Sequence, residues 1–191
     1  MIQLPAIFNV ATHFVDRHVR DGRGQRIAFE CGEERVSYAE LYQRVNRAGN
    51  ALKKLDVRQE ERVGLLLLDT PEFAYCFFGG IKIGAVPIPI NTLLKPQEYE
   101  YILNDSRARV LIVSEQLLPQ IQAIAKDKLL YLKTIIVFLT QNASPSVPQT
   151  TRNEWDPQNR RAPEAPAPEG TSSLLQLLDE SSEELEAELT S

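Results

Sequence analysis

The sequence is poor in the residues that form metal sites and disulfides. It contains two cysteines and two histidines among 191 residues. Cys31 and Cys76 form neither a disulfide framework nor a zinc motif, so a reducing cytoplasm is the expected location. His13 and His18 fall on different faces of one predicted helix, which is not the i, i+4 pairing of a helical zinc site. We therefore predict no metal ligand and expect the histidines at the surface or at an interface.

Long apolar runs and an excess of basic charge are also missing. The longest wholly apolar run covers residues 73–81, far short of the roughly 20 residues that span a bilayer. The first residues, MIQLPAIFNVATHF, lack the basic start and cleavage site of a signal peptide. The net charge is −5, and six acidic residues lie within residues 175–191, which leaves +1 for the first 174 residues. We therefore expect no membrane and no nucleic acid as a partner.

Recognisable catalytic and phosphate-binding motifs are absent as well. The patterns GxGxxG, GxxxxGKS/T and GxSxG do not occur. Gly79, Gly80 and Gly84 lie within and just after a predicted helix, where close helix packing is favoured over phosphate binding. Cys76 on an apolar helix is interpreted as a packing residue and Cys31 as a turn residue, rather than as nucleophiles. The residues by themselves predict no catalytic, cofactor-binding or metal-binding residue.

Aromatic and acidic side chains leave two alternatives open. Tyr99 and Tyr101 could stack on a ligand, but Tyr99 has helical spacing with Ile102 and Leu103 and is more simply a core residue. The carboxylates near the C-terminus are interpreted as a solvated helix face rather than as an acid/base pair.

The most apolar part of the chain, residues 62–91, has the pattern of a strand, a helix and a second strand. Residues 63–68 form a short apolar run, which is typical of a strand buried on both faces. Asp69 and Thr70 offer side-chain caps to the helix, and Gly84 marks its end. The predicted apolar face of this helix is formed by Phe73, Ala74, Phe77, Phe78 and Ile81. This βαβ unit is the building block of a parallel sheet.

The segments before this unit predict two helices and a hairpin. Ser37 and Glu40 form a capping box, in which each side chain satisfies a backbone amide at the start of a helix. Residues 26–29 and 35–38 alternate around a turn at residues 31–34, which predicts a β-hairpin. The helix after the capping box carries Leu41, Val45, Ala48 and Leu52 on its apolar face. An earlier helix, capped by Asn9, carries Val10, Phe14 and Val19 on its apolar side and Asp16, Arg17 and Arg20 on its polar side.

The segments after the unit continue the alternation of strands and helices. Pro87 and Pro89 predict that the second strand of the unit lies at a sheet edge or is irregular on that side, because proline donates no ladder hydrogen bond. The later elements are a helix opened by Pro96, a strand at residues 109–113, a cap at Ser114, a helix lined by Leu117, Leu118, Ile121 and Ile124, and a strand at residues 134–138. Together they predict an α/β fold with a mostly parallel, doubly wound sheet flanked by helices.

The composition changes after this alternation and divides the chain into three parts. Residues 1–139 are the predicted α/β domain. Residues 140–170 hold six of the twelve prolines and are interpreted as a disordered, proline-rich linker. Residues 171–191 are the predicted acidic helical tail, in which Leu174, Leu177 and Leu178 share a helical face. Leu185 and Leu189 could extend that face, or Ser181 and Ser182 could break the tail into two short helices.

Six segments together resemble the N-terminal region of the adenylate-forming acid–CoA ligases, and within them the benzoate–CoA ligases. They are NVATHFVDR from Asn9, SYAEL from Ser37, RVNRAGNAL from Arg44, EERVGLLLLDTPEF from Glu60, GAVPIPINTLL from Gly84 and DSRARVLIVSE from Asp105. The resemblance covers roughly residues 6–138 and returns weakly at residues 173–178. It implies a partial N-terminal domain of the adenylate-forming fold.

Members of this family activate a carboxylic acid with ATP and magnesium to an acyl-adenylate, and then transfer the acyl group to coenzyme A. The resemblance implies that the complete enzyme takes an aromatic carboxylic acid, ATP and CoA. The family's Ser/Thr- and Gly-rich phosphate loop, which ends in Pro-Lys-Gly, and its C-terminal lysine are not found in these residues. We therefore expect this chain alone to bind no cofactor and to be inactive.

The chain departs from the family pattern at two places. Wider relatives can carry an arginine shortly after the asparagine that matches Asn91, where this chain has Thr92, Leu93 and Leu94. The proline-rich segment is also longer than the pattern suggests.

Three interpretations remain open from the sequence. In the first, the chain is the N-terminal part of an aromatic acid–CoA ligase, with a split enzyme completed by a second polypeptide as a variant of the same hypothesis. Alternatively it is a non-enzymatic binding or regulatory module whose leucine-bearing acidic tail docks on a partner, or a decayed product that folds poorly. Deletion of residues 171–191 should abolish partner capture for a binding module and should change little for a ligase fragment.

Overall fold

A computed structural model describes residues 8–139 and 171–188 of the chain. The main sheet has five parallel strands in the order β4-β3-β5-β6-β7, and β1 and β2 form a separate antiparallel hairpin. The strands are β1 (Ile27–Cys31), β2 (Glu34–Ser37), β3 (Arg62–Leu66), β4 (Val86–Pro89), β5 (Val110–Ser114), β6 (Thr134–Phe138) and β7 (Thr171–Ser173). The α-helices are α1 (Arg17–Arg20), α2 (Tyr38–Lys54), α3 (Pro71–Lys82), α4 (Pro96–Asp105), α5 (Leu118–Gln122) and α6 (Leu174–Asp179). A π-helical turn, Thr12–Asp16, precedes α1, and 3₁₀ turns span Glu115–Leu117 and Lys126–Lys128.

The central strands β3 and β5 are buried on both faces, which the apolar run at residues 63–68 predicted for β3. Val63 and Leu65 of β3 pack in a core that includes side chains of α2, α3 and α6. Leu66 of β3 and Leu111 of β5 pack in a second core with side chains of α4 and α5. Helices therefore cover both faces, and the predicted doubly wound α/β sheet is confirmed.

Local signals placed several boundaries correctly. The Ser37 side chain accepts a hydrogen bond from Glu40 N, and the Glu40 carboxylate accepts one from Ser37 N, both at 3.2 Å. Gly84 has a φ of +75° directly after the C-cap of α3, which confirms it as the helix stop. Within the described residues β4 pairs only with β3, so the edge position predicted from Pro87 and Pro89 is confirmed. The predicted hairpin also forms, although Cys31 is the last residue of β1 rather than a turn residue.

The helices α2 and α3 meet at glycines. A Cβ atom on Gly79 would lie 2.8 Å from both Ala48 Cβ and Gly49 N, a distance that real Cβ atoms do not show. The interpretation of the glycine pair as a packing feature is therefore confirmed at Gly79. The predicted apolar face of α2, from Leu41 to Leu52, is buried in the same core.

The predicted apolar face of α3 packs against the core but is not its most buried face, and the predicted face of the N-terminal helix was wrong. In α3 the fully buried positions include Tyr75, Cys76 and Gly79, whereas Phe73 and Phe77 are only half-buried. This helix is apolar on most of its surface, so its own periodicity did not indicate which side meets α2. In the N-terminal helix Ala11 and Val15 are buried, while Val10 and Phe14 are 37% and 55% exposed and Asp16 turns inward. The π-helical turn changes the angle between successive side chains there, which shifts the buried face.

The residues after the proline-rich segment belong to the same sheet. β7 pairs in parallel with β6, and Leu174 and Leu178 of α6 are buried in the core beside α2. The helix ends at Asp179, before Ser181 and Ser182, and residues 180–188 contain no second helix. The acidic tail is thus helical only in its first part. Residues 140–170 lie outside the described residues, and the division of the chain at 139 and 170 stays a prediction.

No helix in the described ranges 8–139 and 171–188 is long and apolar enough to cross a membrane.

Candidate functional site at the carboxyl edge of the sheet

The strand order reverses direction at β3. Its neighbour β4 lies on one side and β5 on the other, and the connection through α4 crosses back over β3. In open parallel sheets, ligands bind in the crevice outside the carboxyl ends of the strands at such a switch point. In this chain that edge is formed by residues 67–71 after β3, residues 91–94 after β4 and residues 114–115 at the end of β5.

Ser114 joins the ends of the two central strands. Its hydroxyl oxygen accepts a hydrogen bond from Leu68 N at 3.0 Å, and the residue is 1% exposed. The sequence predicted Ser114 as the side-chain cap of the helix that follows, and this was wrong. The amide of Leu68, two residues beyond the end of β3, donates to this side chain instead. The floor of the edge is therefore fixed by a buried side-chain hydrogen bond.

Thr70 forms a polar corner next to this floor. It is the N-cap residue of α3 by backbone conformation, but its side chain makes no cap hydrogen bond, so the predicted cap was wrong. Its backbone closes the turn instead, since Thr70 N donates to Leu68 O and Phe73 N donates to Thr70 O. The hydroxyl oxygen is buried and has no partner among the described residues. Its hydrogen-bonding capacity is therefore left unused within the described residues.

The hairpin reaches the same edge through Cys31. Its thiol donates a weak hydrogen bond to Asp69 O at 3.5 Å, which holds β1 beside the start of α3. No hydrogen bond or ring contact joins it to a histidine within the described residues, so a base that would activate the thiol is not in place. The other thiol, on Cys76, is fully buried. Burial is the main cause that raises the pKa of this thiol, and the negative charge of Glu72 raises it further. Cys76 is therefore a protonated packing residue at neutral pH, as the sequence predicted.

The loop after β4 projects an apolar side chain from the edge. The Asn91 side-chain oxygen accepts a hydrogen bond from Leu93 N at 2.9 Å, which forms an Asx turn. The turn leaves Leu93 88% exposed. The position at which wider relatives can carry an arginine is thus an exposed, uncharged loop in this chain.

The structure does not bring the other sequence candidates together. His18 stacks on the Tyr38 ring with a centroid distance of 3.9 Å. Partial burial is the main cause that lowers the pKa of His18, and the positive charges of Arg23 and Arg17 lower it further. His13 instead contacts the Phe8 and Phe14 rings. Tyr99 is a fully buried core residue, as expected, and Tyr101 is 69% exposed. Across the described ranges no group of three or more His, Cys, Asp or Glu side chains could hold a metal ion.

Sequence reasoning missed a buried polar cluster between the N-terminal helix, α2 and α3. Lys82 is 1% exposed, and its ammonium group lies 2.7 Å from Asp16 Oδ2 and 2.7 Å from Asn46 Oδ1. The same ammonium lies 4.6 Å from the centre of the Tyr42 ring. A lysine within the otherwise apolar run GGIKIG was the available signal.

Comparison with known proteins identifies the family to which a sheet with this carboxyl edge belongs. Residues 15–175 match the family described as AMP-binding enzyme. The 4-hydroxybenzoate–CoA/benzoate–CoA ligase of Rhodopseudomonas palustris is 46% identical over 129 residues, which are 68% of this chain and 24% of that protein. The benzoate–CoA ligase of Thauera aromatica is 43% identical over 119 residues, which are 62% of this chain and 23% of that protein.

Solved structures agree with these relatives. The anthranilate CoA ligase AuaEII, in complex with anthranoyl-AMP, superposes with a TM-score of 0.79 and 36% identity over 98% of this chain and 31% of that chain. A benzoate CoA ligase from Burkholderia xenovorans superposes with a TM-score of 0.70 and 26% identity over 96% of this chain and 31% of that chain. The chain spans about a quarter of the length of the curated relatives it matches. It belongs to the family of AMP-binding, adenylate-forming enzymes that includes these benzoate–CoA ligases.

Proposed function

We propose that this chain forms the N-terminal part of an AMP-forming aromatic acid–CoA ligase. The observation that carries the proposal is the match to the AMP-binding family over residues 15–175, together with superposition of nearly the whole chain on an anthranilate CoA ligase. The chain's contribution is then a scaffold: its parallel sheet presents one wall of the crevice at the carboxyl edge.

The reaction of such a ligase has two steps. A carboxylate oxygen attacks the α-phosphorus of ATP and displaces pyrophosphate, which converts a poor electrophile into an acyl-adenylate. The thiolate of coenzyme A then attacks the acyl carbon and displaces AMP. The curated relatives named here act on benzoate and hydroxybenzoates, so an aromatic carboxylic acid is the proposed substrate class.

The residues of this chain supply little of that chemistry. CoA ligases of this family use ATP, magnesium and CoA, but the described residues provide no metal-binding cluster. At the carboxyl edge the available group is the Thr70 hydroxyl, which can hydrogen-bond a ligand oxygen. The described residues therefore do not fit a magnesium site. We propose that the chain alone is inactive and requires the remainder of a ligase, in one chain or as a complementing polypeptide.

A cytoplasmic location is part of the proposal. CoA-dependent ligation needs intracellular ATP, and Cys31 and Cys76 are both free thiols.

The test is a chimera. The segment of the Rhodopseudomonas palustris ligase that aligns with this chain is replaced by the corresponding residues of this chain, and benzoyl-CoA formation is measured with ATP, magnesium and CoA. We expect an active chimera, because 46% identity over 129 residues preserves the core contacts. The unmodified ligase and a reaction without benzoate are the controls.

The isolated chain is assayed in parallel by benzoate-dependent exchange between pyrophosphate and ATP. We expect no exchange above the reaction without acid. A folded chimera that makes no benzoyl-CoA, or exchange by the isolated chain, contradicts the proposal.

Deletion of residues 171–191 does not distinguish the hypothesis of a ligase part from the hypothesis of a binding module. The deletion removes β7 and the buried side chains of Leu174 and Leu178, so it damages the core whatever the function is. For this reason we now expect the deletion to destabilise the chain rather than to change little. Point substitutions that leave β7 and α6 intact are the better test.

A further inference from the structure

Residues 180–188, which we name the strap, lie across α2 and the end of α3. Side chains of α2 bind the strap through its backbone. Asn46 Nδ2 donates to Glu183 O at 2.6 Å, and Asn50 Nδ2 donates to Ser182 O at 2.7 Å and to Glu184 O at 2.8 Å. Because these amides contact carbonyl oxygens, they recognise an extended chain and not a particular side chain.

The far end of the strap is held by backbone groups and by the N-terminal helix. Glu188 N donates to Lys82 O at 2.7 Å. Asn9 Nδ2 donates to Glu188 O at 3.0 Å and also to Ile81 O at 3.0 Å. The strap is therefore bound along its length by donors and acceptors that the rest of the chain provides.

Charge complementarity adds to this recognition. Arg47 contacts the Glu183 carboxylate, and Lys53 Nζ lies 2.9 Å from Glu188 Oε1. Lys54 Nζ donates to Glu180 O. These groups are partly exposed, so each ion pair adds only weakly to the contact, and its contribution falls as salt is added.

A glycine gives the groove its socket for an apolar side chain. A Cβ atom on Gly49 would overlap Leu185 Cδ2 and would lie 3.1 Å from Gly79 O. Gly49 therefore leaves the space that Leu185 fills. We name the surface formed by Asn46, Gly49 and Asn50 of α2, Gly79 of α3 and Ile83, which directly follows α3, the α2–α3 groove.

We propose that the α2–α3 groove is a docking site for an extended, acidic, leucine-containing segment of a partner polypeptide, and that the strap is its occupant in cis. Every selective group lies on the groove side: two asparagine amides for backbone carbonyls, a cationic helix face for carboxylates and a glycine socket for leucine. The strap contributes only features that any segment of this chemistry has. Because the strap is tethered next to the groove at an effective concentration on the order of millimolar, a partner segment enters when the strap's own contacts are weakened.

The experiment uses the full chain and a fluorescent peptide of residues 180–188. In the variant Glu183→Lys/Leu185→Asp/Glu188→Lys the strap loses its leucine and two of its carboxylates. We expect the peptide to bind this variant with a Kd below about 1 mM, and to bind the unmodified chain at least roughly tenfold more weakly because the strap competes. Fluorescence polarisation gives the affinity, and amide exchange of residues 181–188 shows whether the strap is released while the protection of α2 is kept.

Three controls make the result decisive. A peptide with Leu185→Asp tests the socket, and we expect it not to bind. Asn50→Ala in the strap variant removes two backbone hydrogen bonds and should weaken binding roughly tenfold. If the triple variant loses the protection of α2, the milder Glu183→Gln/Glu188→Gln variant takes its place. The proposal is overturned if the strap is released and the peptide does not bind, if the strap stays protected in the variants, or if the unmodified chain binds the peptide equally well.

Discussion

The ammonium group of Lys82 lies 2.7 Å from the Asp16 carboxylate in the interior between α2, α3 and the N-terminal helix. Lys82 also donates to Asn46 Oδ1, and Asn46 donates in turn to Glu183 O of the strap. One buried cation thus links three helices and, through Asn46, the strap. Burial lowers the pKa of Lys82, and the hydrogen bond and charge of Asp16 oppose that shift.

Replacing this cation tests whether the cluster stabilises the fold. Lys82→Met leaves the Asp16 carboxylate without its partner in a largely buried position, so we expect a loss of about 3 kcal/mol in the free energy of unfolding. Urea denaturation followed by circular dichroism measures the loss. Lys126→Met, at an exposed lysine, is the matched control and should change the free energy by less than about 0.5 kcal/mol. Equal effects of the two substitutions contradict a stabilising role.

The buried thiol of Cys76 predicts a loss of stability in alkali. Burial and Glu72 raise its pKa in the folded state, so the unfolded chain releases this proton first, above a pH of about 8.5. The folded state then binds more protons than the unfolded state, and the free energy of unfolding falls as pH rises. One such group contributes at most about 1.4 kcal/mol per pH unit.

Cys76→Ala isolates this contribution. We expect the variant to lose about 1 kcal/mol less than the unmodified chain between pH 8.5 and pH 9.5, whatever its stability at neutral pH. Urea denaturation at a series of pH values provides the comparison. Parallel pH profiles for the two proteins are the result that refutes the expectation. Tyr75, whose pKa burial also raises, titrates in both proteins and so cancels in the difference.

The adjacent glycines of α3 form a matched pair. Gly79→Ala places a methyl group 2.8 Å from Ala48 Cβ and should separate α2 from α3, at a cost of about 1–3 kcal/mol. At Gly80 the nearest atoms to an added Cβ are those of Pro87 at 3.6 Å, and alanine favours the helix. We therefore expect Gly80→Ala to be neutral or to stabilise by up to about 1 kcal/mol. Thermal unfolding ranks the two variants, and the reverse order contradicts the packing argument.

Removal of two hydroxyl groups at the carboxyl edge should have different effects on the stability of the chain. Ser114→Ala leaves Leu68 N without its acceptor in a buried position and should destabilise the chain by about 1–3 kcal/mol. Thr70→Val removes a buried hydroxyl that has no partner among the described residues, so stability should be unchanged or slightly higher. Urea denaturation of both variants gives the comparison.

Thr70→Val also tests the candidate site. In the chimeric ligase we expect it to lower kcat/KM by roughly tenfold, the effect of one lost hydrogen bond to the ligand. An unchanged kcat/KM in a variant of normal stability shows that this hydroxyl does not meet the ligand. Thr92→Val, which makes the same chemical change in the loop after β4, is the substitution with which Thr70→Val is compared.

Sequence reasoning succeeded where the signal was local. The capping box at Ser37, the helix stop at Gly84 and the edge position of Pro87 depend on groups within a few residues or on the chemistry of the residue itself. The run of alternating strands and helices likewise indicated a parallel, doubly wound sheet. The family resemblance came from several such segments in order, and the comparisons confirmed it.

The failures share a different cause. Ser114 and Thr70 have the residue types of helix caps, but Ser114 accepts a hydrogen bond from the amide of Leu68, just beyond β3, a contact between residues far apart in sequence. Residues 180–188 were expected to be helical or broken helix, and they are held extended by Asn46 and Asn50 instead. Local propensity is worth only tenths of a kcal/mol per residue, so several side-chain hydrogen bonds to the backbone outweigh it.

The sequence by itself determined the class of fold, the order of its elements and the family, because periodicity, turn residues and segment order are properties of the chain read in one dimension. The tertiary structure alone decided which face of α3 is buried, where the charge of Lys82 is compensated, which hydroxyl at the carboxyl edge is left without a partner, and how the strap lies on α2. Each of these depends on groups that are distant in sequence and meet only when the helices pack, and the free energy of those contacts is set by burial and distance in the folded chain.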